Sequence, residues 1–80
     1  MFYILELQET NGSGAHIMQT AATKNEAMSK YHTVLSFAAV SSVEYHTCIV
    51  IDEHGRYHAM ECYEHPTSVE PEEPGGEING

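Results

Sequence analysis

Histidine and cysteine are the residues of this chain with the most versatile chemistry. The 80 residues include six histidines and two cysteines, and both side-chain types can ligate zinc. Four of them fall in two neighbouring segments that pattern as strands, namely His46, Cys48, His58 and Cys62. If these segments pair as a hairpin, His46 lies across from Cys62, with Cys48 beside it on the same face. These four residues are therefore the candidate metal ligands.

The spacing of these residues argues against both a metal site and a thiol enzyme. The two cysteines do not form a Cys-x-x-Cys pair, and side chains on a flat strand lie too far apart to chelate one ion without distortion. A cysteine nucleophile beside His46 would also need oxyanion donors and a substrate pocket, for which one helix and a small sheet offer little room. We therefore predict no catalysis and no cofactor, with the cysteines acting as small hydrophobes.

Acidic residues greatly outnumber basic ones. Twelve aspartates and glutamates stand against three lysines and arginines, which gives a formal net charge of −9. Such a charge repels nucleic-acid phosphates and anionic lipid headgroups, so we predict neither as a direct partner. It favours a basic protein surface instead, and we expect Glu44, Glu61 and Glu64 to form an acidic patch. The alternative is that the charge only keeps a small protein soluble.

The composition changes sharply after residue 65. All three prolines, three of the six glycines and four glutamates lie in residues 66–80. Such a segment buries too little apolar surface to offset the entropy of ordering it. We predict one domain over residues 1–65 and a disordered acidic tail over residues 66–80. Since no apolar run approaches the roughly 20 residues of a membrane span and the N-terminus does not read as a signal peptide, we expect a cytoplasmic protein.

Hydrophobic patterning predicts two strands followed by one helix. Residues 2–8 and 15–21 are apolar enough to form strands, and the Asn and Gly residues between them favour a turn. Thr23 and Glu26 then match a capping box, in which the threonine hydroxyl accepts from a free amide and the glutamate reaches back to the cap amide. Apolar residues recur at three- and four-residue spacing from there to about Ser41, which predicts an amphipathic helix of about four turns.

The clearest hairpin is predicted after the helix. Residues 44–52 and 56–63 are rich in β-branched and aromatic side chains, and Gly55 can take the left-handed position of a short turn. Pairing the strands directly from this turn puts Tyr45 opposite Tyr63. The predicted fold is therefore α+β in the order β-β-α-β-β, with a four-stranded, mainly antiparallel sheet and the helix packed on one face.

Neither face of this hairpin is plainly polar, although one helix can cover only one side of a sheet. We therefore expect a second subunit to cover the remaining side, giving a homodimer. Phe37 and Val40 are also apolar, and they project away from the apolar stripe of the helix. The residues predicted for an interface are Phe37, Val40, Tyr45, Ile49, Tyr57 and Tyr63. The alternative is that tyrosine, threonine and histidine are tolerated on a wet sheet surface.

Five short segments carry a resemblance to other proteins. They are residues 26–32, 38–41, His46, 52–55 and 62–65. Together they make the chain, over residues 2 to 65, resemble short uncharacterised proteins of gut Firmicutes and their mobile elements. The resemblance brings no assigned activity. It implies a setting, namely an accessory gene of a phage or conjugative element.

Three functions are compatible with these features. The first is a non-catalytic, dimerising module that binds another protein through the second sheet face or the Phe37 side of the helix. The second is an anti-defence inhibitor, similar to an anti-CRISPR protein, whose acidity mimics nucleic acid and occupies a basic groove. The third is a metal-binding or thiol-reactive module built on the cysteines and their neighbouring histidines.

Overall fold

A computed structural model describes residues 1–66 as a four-stranded sheet with one helix. The elements are β1 (Phe2–Thr10), β2 (Ser13–Ala21), α1 (Lys24–Ala38), β3 (Tyr45–Asp52) and β4 (Tyr57–Glu64). The strands lie in the order β2-β1-β3-β4, and each neighbouring pair is antiparallel. The predicted α+β class and element order are confirmed. Apart from Pro66, the predicted tail lies outside the described residues.

The core lies between α1 and the two central strands. Side chains of β1 and β3 alternate between the two sides of the sheet, and on the helix side Ile4, His46, Cys48 and Val50 are buried. The core residues are Ile4, Ala21, Ala27, Tyr31, Val34, Cys48 and Val50. β1 and β3 are the central strands, and the helix packs over the half of them that contains Ile4 and Val50. Among residues 1–66, no helix has the length and hydropathy to span a bilayer.

The first hairpin is longer than predicted because its turn is tighter. Its two central residues, Asn11 and Gly12, have φ values of 54° and 79°. Positive φ at both positions is typical of a two-residue type I′ turn, whose twist matches that of the flanking strands. The strands therefore pair right up to the turn, with Thr10 opposite Ser13.

The helix begins where predicted and ends earlier. The Thr23 hydroxyl accepts from the backbone N–H of Glu26 at 3.2 Å, while the Glu26 carboxylate accepts from the N–H of Ala22 at 3.3 Å. The glutamate thus reaches one residue beyond the predicted cap amide. The last helical residue is Ala38, whose carbonyl accepts from the His65 ring nitrogen at 2.8 Å. A donor just after β4 therefore satisfies this carbonyl at the end of the helix.

The predicted register of the second hairpin is wrong beyond its first pair. Ile51 pairs with Tyr57 as expected, but the next residue, Val50, pairs with Ala59. His58 is therefore an extra residue in β4, and the strand has a β-bulge at this position. The side chains of β4 after the bulge, from Ala59 onwards, therefore point to the side of the sheet opposite to the predicted one.

Side-chain contacts hold this bulge in place. The His58 ring lies 2.9 Å from a carboxylate oxygen of Asp52 and packs edge-on against the ring of Phe2, with the centroids 5.3 Å apart. The other Asp52 oxygen accepts from the N–H groups of His54 and Arg56. The hydrogen bond from His58, followed by those backbone bonds, holds the pKa of the Asp52 carboxyl well below its ordinary value. Asp52 therefore stabilises both the turn and the bulge through hydrogen bonds.

Candidate functional site

The side of the sheet opposite α1, which we call the open face, receives alternate residues from all four strands. Successive side chains of a strand point to opposite sides, so the pairing assigns each residue to one side. The open face comprises Tyr3, Leu5, Leu7, Glu9, Gly14, His16, Met18, Thr20, Tyr45, Thr47, Ile49, Ile51, Tyr57, Met60, Cys62 and Glu64. Within residues 1–66, the helix packs on the other side and no second layer covers this one.

Many side chains of the open face are apolar and exposed. Tyr57, Met18 and Met60 are 69%, 59% and 57% exposed, and Leu7 and Tyr45 are exposed as well. Four strands about 4.8 Å apart, with about eight residues of roughly 3.3 Å each, give a footprint of roughly 500 Å². Polar residues such as Glu9, Thr47 and Glu64 occupy part of this footprint, so the apolar area is smaller. An exposed apolar patch of a few hundred Å² is often functional.

Charge on the open face is confined to one end. Its two acidic residues, Glu9 and Glu64, lie in β1 and β4 and both pair with Tyr45 of the strand between them. Lysine and arginine are absent from the residues that form this face. Although the chain carries a net charge of −9, the middle of the face is therefore uncharged. The face therefore combines an uncharged middle with one negatively charged end.

Two hollows lie on either side of Tyr45. The first has a volume of about 350 Å³ and is lined by Leu7, Gln8, Glu9, Gly14, Ala15, His16, Tyr45 and Thr47. The second has a volume of about 280 Å³ and is lined by Glu44, Tyr45, Glu64, His65 and Pro66. The acidic end of the open face is therefore not flat.

A polar cluster lies on the helix side, beneath the end of α1. His46 is 4% exposed, and its Nε2 lies 2.5 Å from Glu6 Oε2. Its Nδ1 lies 2.9 Å from the hydroxyl of Ser41. The amide of Gln8 donates to the same Glu6 oxygen at 2.9 Å. Because a carboxylate can only accept, Nε2 carries the proton in this arrangement.

This cluster has the residue types of a serine–histidine–glutamate triad, but its geometry favours a structural role. The single proton of the Ser41 hydroxyl has two acceptors within reach, His46 Nδ1 at 2.9 Å and the carbonyl of Ala38 at 3.3 Å, at the end of the helix. Neither hollow beside Tyr45 is lined by His46 or Ser41. The cluster links the segment after α1 to the central strands β1 and β3. The sequence identifies His46 as a candidate site residue but neither Glu6 nor Ser41. These two residues lie outside β3 and meet His46 only in the folded chain.

The two cysteines lie in opposite environments, which predicts different reactivity. Cys48 is buried, and Cys62 is exposed. Burial raises the pKa of the Cys48 thiol to about 11, and the nearby Glu6 carboxylate adds to the rise. Since the thiolate is the reactive form, we expect iodoacetamide at about pH 8 to alkylate Cys62 rapidly. Cys48 should react at least about a hundredfold more slowly, through local opening or unfolding.

Mass spectrometry of alkylation over time measures both rates. The variant Cys62→Ser is the control, and it should show no rapidly modified thiol until denaturant is added. Alkylation of Cys48 at the rate of Cys62 in the folded protein would contradict the buried position of this thiol.

The four candidate metal ligands do not converge. His46 and Cys48 point toward the helix, whereas Cys62 pairs with Thr47 and points to the open face. His58 is engaged with Asp52 at the bulge. The expected placement of His46 across from Cys62 is wrong, since the shifted register puts Tyr63 opposite His46. Within residues 1–66, no three histidine, cysteine or acidic side chains cluster as ion ligands would.

The predicted acidic patch is divided between two surfaces. Glu61 pairs with Cys48 on the helix side, where its charge contributes to the raised pKa of the Tyr31 hydroxyl, after burial. Glu64 lies on the open face. The carboxylate of Glu44 accepts from the N–H of Asn11 at 3.1 Å, at the first turn. Glu44 and Glu64 line the same hollow, but Glu61 lies on the helix side, so the three glutamates do not present one continuous surface.

The predicted interface residues fall into three places. Tyr45, Ile49 and Tyr57 lie on the open face, as the first hypothesis requires. Tyr63 does not, because the bulge turns it toward the helix side, where it pairs with His46. Phe37 and Val40 lie at the exposed outer end of the helix and are 66% and 82% exposed. The open face also contains residues beyond the predicted interface, namely Leu5, Leu7, Met18, Ile51 and Met60.

Comparison with known proteins adds no relative. No protein-family model, no curated protein and no solved structure matches the chain.

Proposed function

We propose that the chain is a non-catalytic module that binds another protein through its open face. The observation that carries the proposal is the distribution of charge and apolar area on this face. Its centre is apolar and uncharged, in a chain that is otherwise strongly acidic. An apolar centre with charge at the margin is the usual composition of a protein-binding surface.

The chemistry of the face defines the partner that fits it. Apolar or aromatic side chains of the partner would cover Leu5, Ile49 and Met60 in the middle of the sheet. A lysine or arginine would lie at the end formed by Glu9 and Glu64, beside the ring of Tyr45. Phe37 and Val40 form a smaller patch elsewhere, so they are suited to a control and not to the main site.

A displayed library of random peptides tests this proposal even though the natural partner is unidentified. The whole chain serves as bait, and each selected peptide is then measured against Ile49→Glu and Phe37→Glu. The first variant places a charge in the centre of the open face, and the second places the same charge on the exposed end of the helix. We expect apolar peptides with a basic end, and a loss in affinity of at least about thirtyfold for Ile49→Glu, or about 2 kcal/mol.

The control variant should bind the same peptides within about twofold of the native chain, since an isolated surface change far from a contact has little effect. The proposal fails if the library yields no binding peptide, or if the selected peptides bind Ile49→Glu as tightly as the native chain.

A further inference from the structure

The two edges of the sheet differ in how well they are protected against pairing with another strand. The outer strand β4 contains a bulge at His58 and two charged residues, Glu61 and Glu64. Bulges and charges are the usual devices that prevent a sheet edge from pairing. The other outer strand, β2, has neither. It is nine residues long, pairs with β1 without a register shift, and contains no proline, lysine, arginine or acidic residue.

The geometry of the first turn shows which backbone groups of β2 face outward. In an antiparallel pair, residues that exchange two hydrogen bonds alternate with residues that exchange none. The two-residue turn makes Thr10 and Ser13 a bonded pair, so every second residue from Ser13 bonds to β1. The outward-facing groups therefore belong to Gly14, His16, Met18 and Thr20. The Lys30 ammonium supports this assignment, because it donates to the Thr20 carbonyl at 2.8 Å.

We propose that β2 pairs with β2 of a second copy of the chain, antiparallel and centred on His16. In this register His16 pairs with its own copy, and Gly14 pairs with Met18 of the second copy. Three residues of each strand then exchange six backbone hydrogen bonds, while the Thr20 carbonyl keeps its bond from Lys30.

Two observations favour a second copy as the occupant and select this register. The first is the absence of charge: β2 contains no acidic residue, lysine or arginine, so two copies that repel each other elsewhere through their net charge of −9 meet at this edge without opposing carboxylates. The second is shape. Gly14 lines the 350 Å³ hollow, and the Met18 side chain of the second copy would lie beside Gly14 on the same side of the sheet. The absent side chain of Gly14 leaves room for that methionine to enter the hollow.

This pairing makes one continuous sheet of eight strands. The two-fold axis is perpendicular to the sheet, so both helices lie on one side and both open faces lie on the other. The dimer therefore presents an open face that extends across eight strands. The pairing itself does not depend on what the open face binds.

A matched pair of proline variants tests the proposal. Met18 and Met60 lie on opposite edge strands, are 59% and 57% exposed, and both have backbone N–H groups that point away from the sheet. Proline removes such an N–H and blocks the approach of another strand, yet it is tolerated on an edge because no internal bond is lost. We expect Met18→Pro to raise the dimer dissociation constant at least about a hundredfold, and Met60→Pro to change it by less than about threefold.

Analytical ultracentrifugation of the full chain measures the association, and circular dichroism confirms that each variant folds. Hydrogen exchange adds a local readout: the amides of Gly14, His16 and Met18 should be protected at dimeric concentrations and exposed upon dilution. A second variant, Gly14→Val, covers the case in which a proline variant does not fold. A Cβ at Gly14 meets only an ordinary contact of 3.7 Å with the Gln8 carbonyl, so Gly14→Val should fold normally while its side chain excludes the methionine and weakens the dimer at least about tenfold.

A chain that stays monomeric at several hundred micromolar would overturn the proposal. So would a dimer that persists in both Met18→Pro and Gly14→Val, or one that Met60→Pro disrupts equally. These outcomes are independent of peptide binding to the open face, which is measured with Ile49→Glu.

Discussion

The variant His46→Ala is expected to lose a large part of the domain's free energy of unfolding. Its imidazole is buried and bonded on both sides, to Glu6 and to Ser41. Removing it leaves the Glu6 carboxylate, whose side chain is 15% exposed, without this partner. Breaking a buried charge-bearing pair in this way costs about 3–5 kcal/mol. At about 0.05–0.15 kcal/mol per residue, the domain has a total stability of only roughly 3–10 kcal/mol.

Urea unfolding followed by circular dichroism measures the loss. His54→Ala is the matched control, because the His54 side chain is 64% exposed and its removal should change the free energy of unfolding by less than about 0.5 kcal/mol. Replacing both partners, Glu6→Leu with His46→Leu, should recover much of the loss, since apolar residues of similar volume can substitute for a buried pair. A His46→Ala variant within about 1 kcal/mol of the native chain would contradict the structural role of the cluster.

The second large effect on stability is expected from a glutamate at Val50, in contrast to the same substitution at the adjacent residue Ile49. Val50 is fully buried beneath the helix, and Ile49 is on the open face. A glutamate at position 50 would be an unpaired charge in the core, and such a charge is costly to bury. We expect Val50→Glu to lose more than about 4 kcal/mol and its cooperative unfolding transition.

The same substitution one residue earlier should have a small effect on folding. A glutamate side chain at position 49 can reach water. Ile49→Glu should therefore keep a cooperative thermal transition and a free energy of unfolding within about 1 kcal/mol of the native chain. Thermal melts and the dispersion of amide NMR signals compare the two variants directly. Equal destabilisation by both substitutions would mean that the open face is covered in the isolated chain, contrary to this fold.

Local signals in the sequence are sufficient to predict the element order. The capping box at Thr23 and the helical spacing of apolar residues place the helix start correctly. Asn11 and Gly12 permit the positive φ angles of the first turn, and Gly55 takes a φ of 82° in the second. These features depend on neighbours in the chain, so a single sequence contains the information that is needed to predict them.

The strand order and the hairpin register depend on contacts between distant residues. The bulge at His58 is held by Asp52 of β3 and by Phe2 of β1, and the second of these is distant in the sequence. The carbonyl of the last helical residue is likewise bound by His65, 27 residues away. A direct count from the turn therefore places Ile51 and Tyr57 correctly and misplaces the rest of β4.

The open face can be predicted from the sequence only in part. Alternation in β1 groups Tyr3, Leu5 and Leu7 on one side, and one helix cannot cover both sides of a sheet. However, a register without the bulge exchanges the sides of β4, so it wrongly includes Tyr63 and omits Met60. The cluster around His46 cannot be predicted in the same way, since it joins three elements whose arrangement follows from the strand order.

Binding at the open face can be located most directly by an NMR titration of methyl groups with a peptide selected from the library. We predict shift changes concentrated at Leu5, Leu7, Ile49, Ile51 and Met60, and unchanged signals from Val34 and Val40. Changes centred on those two valines, with the methyl groups of the sheet unaffected, would contradict binding through the open face.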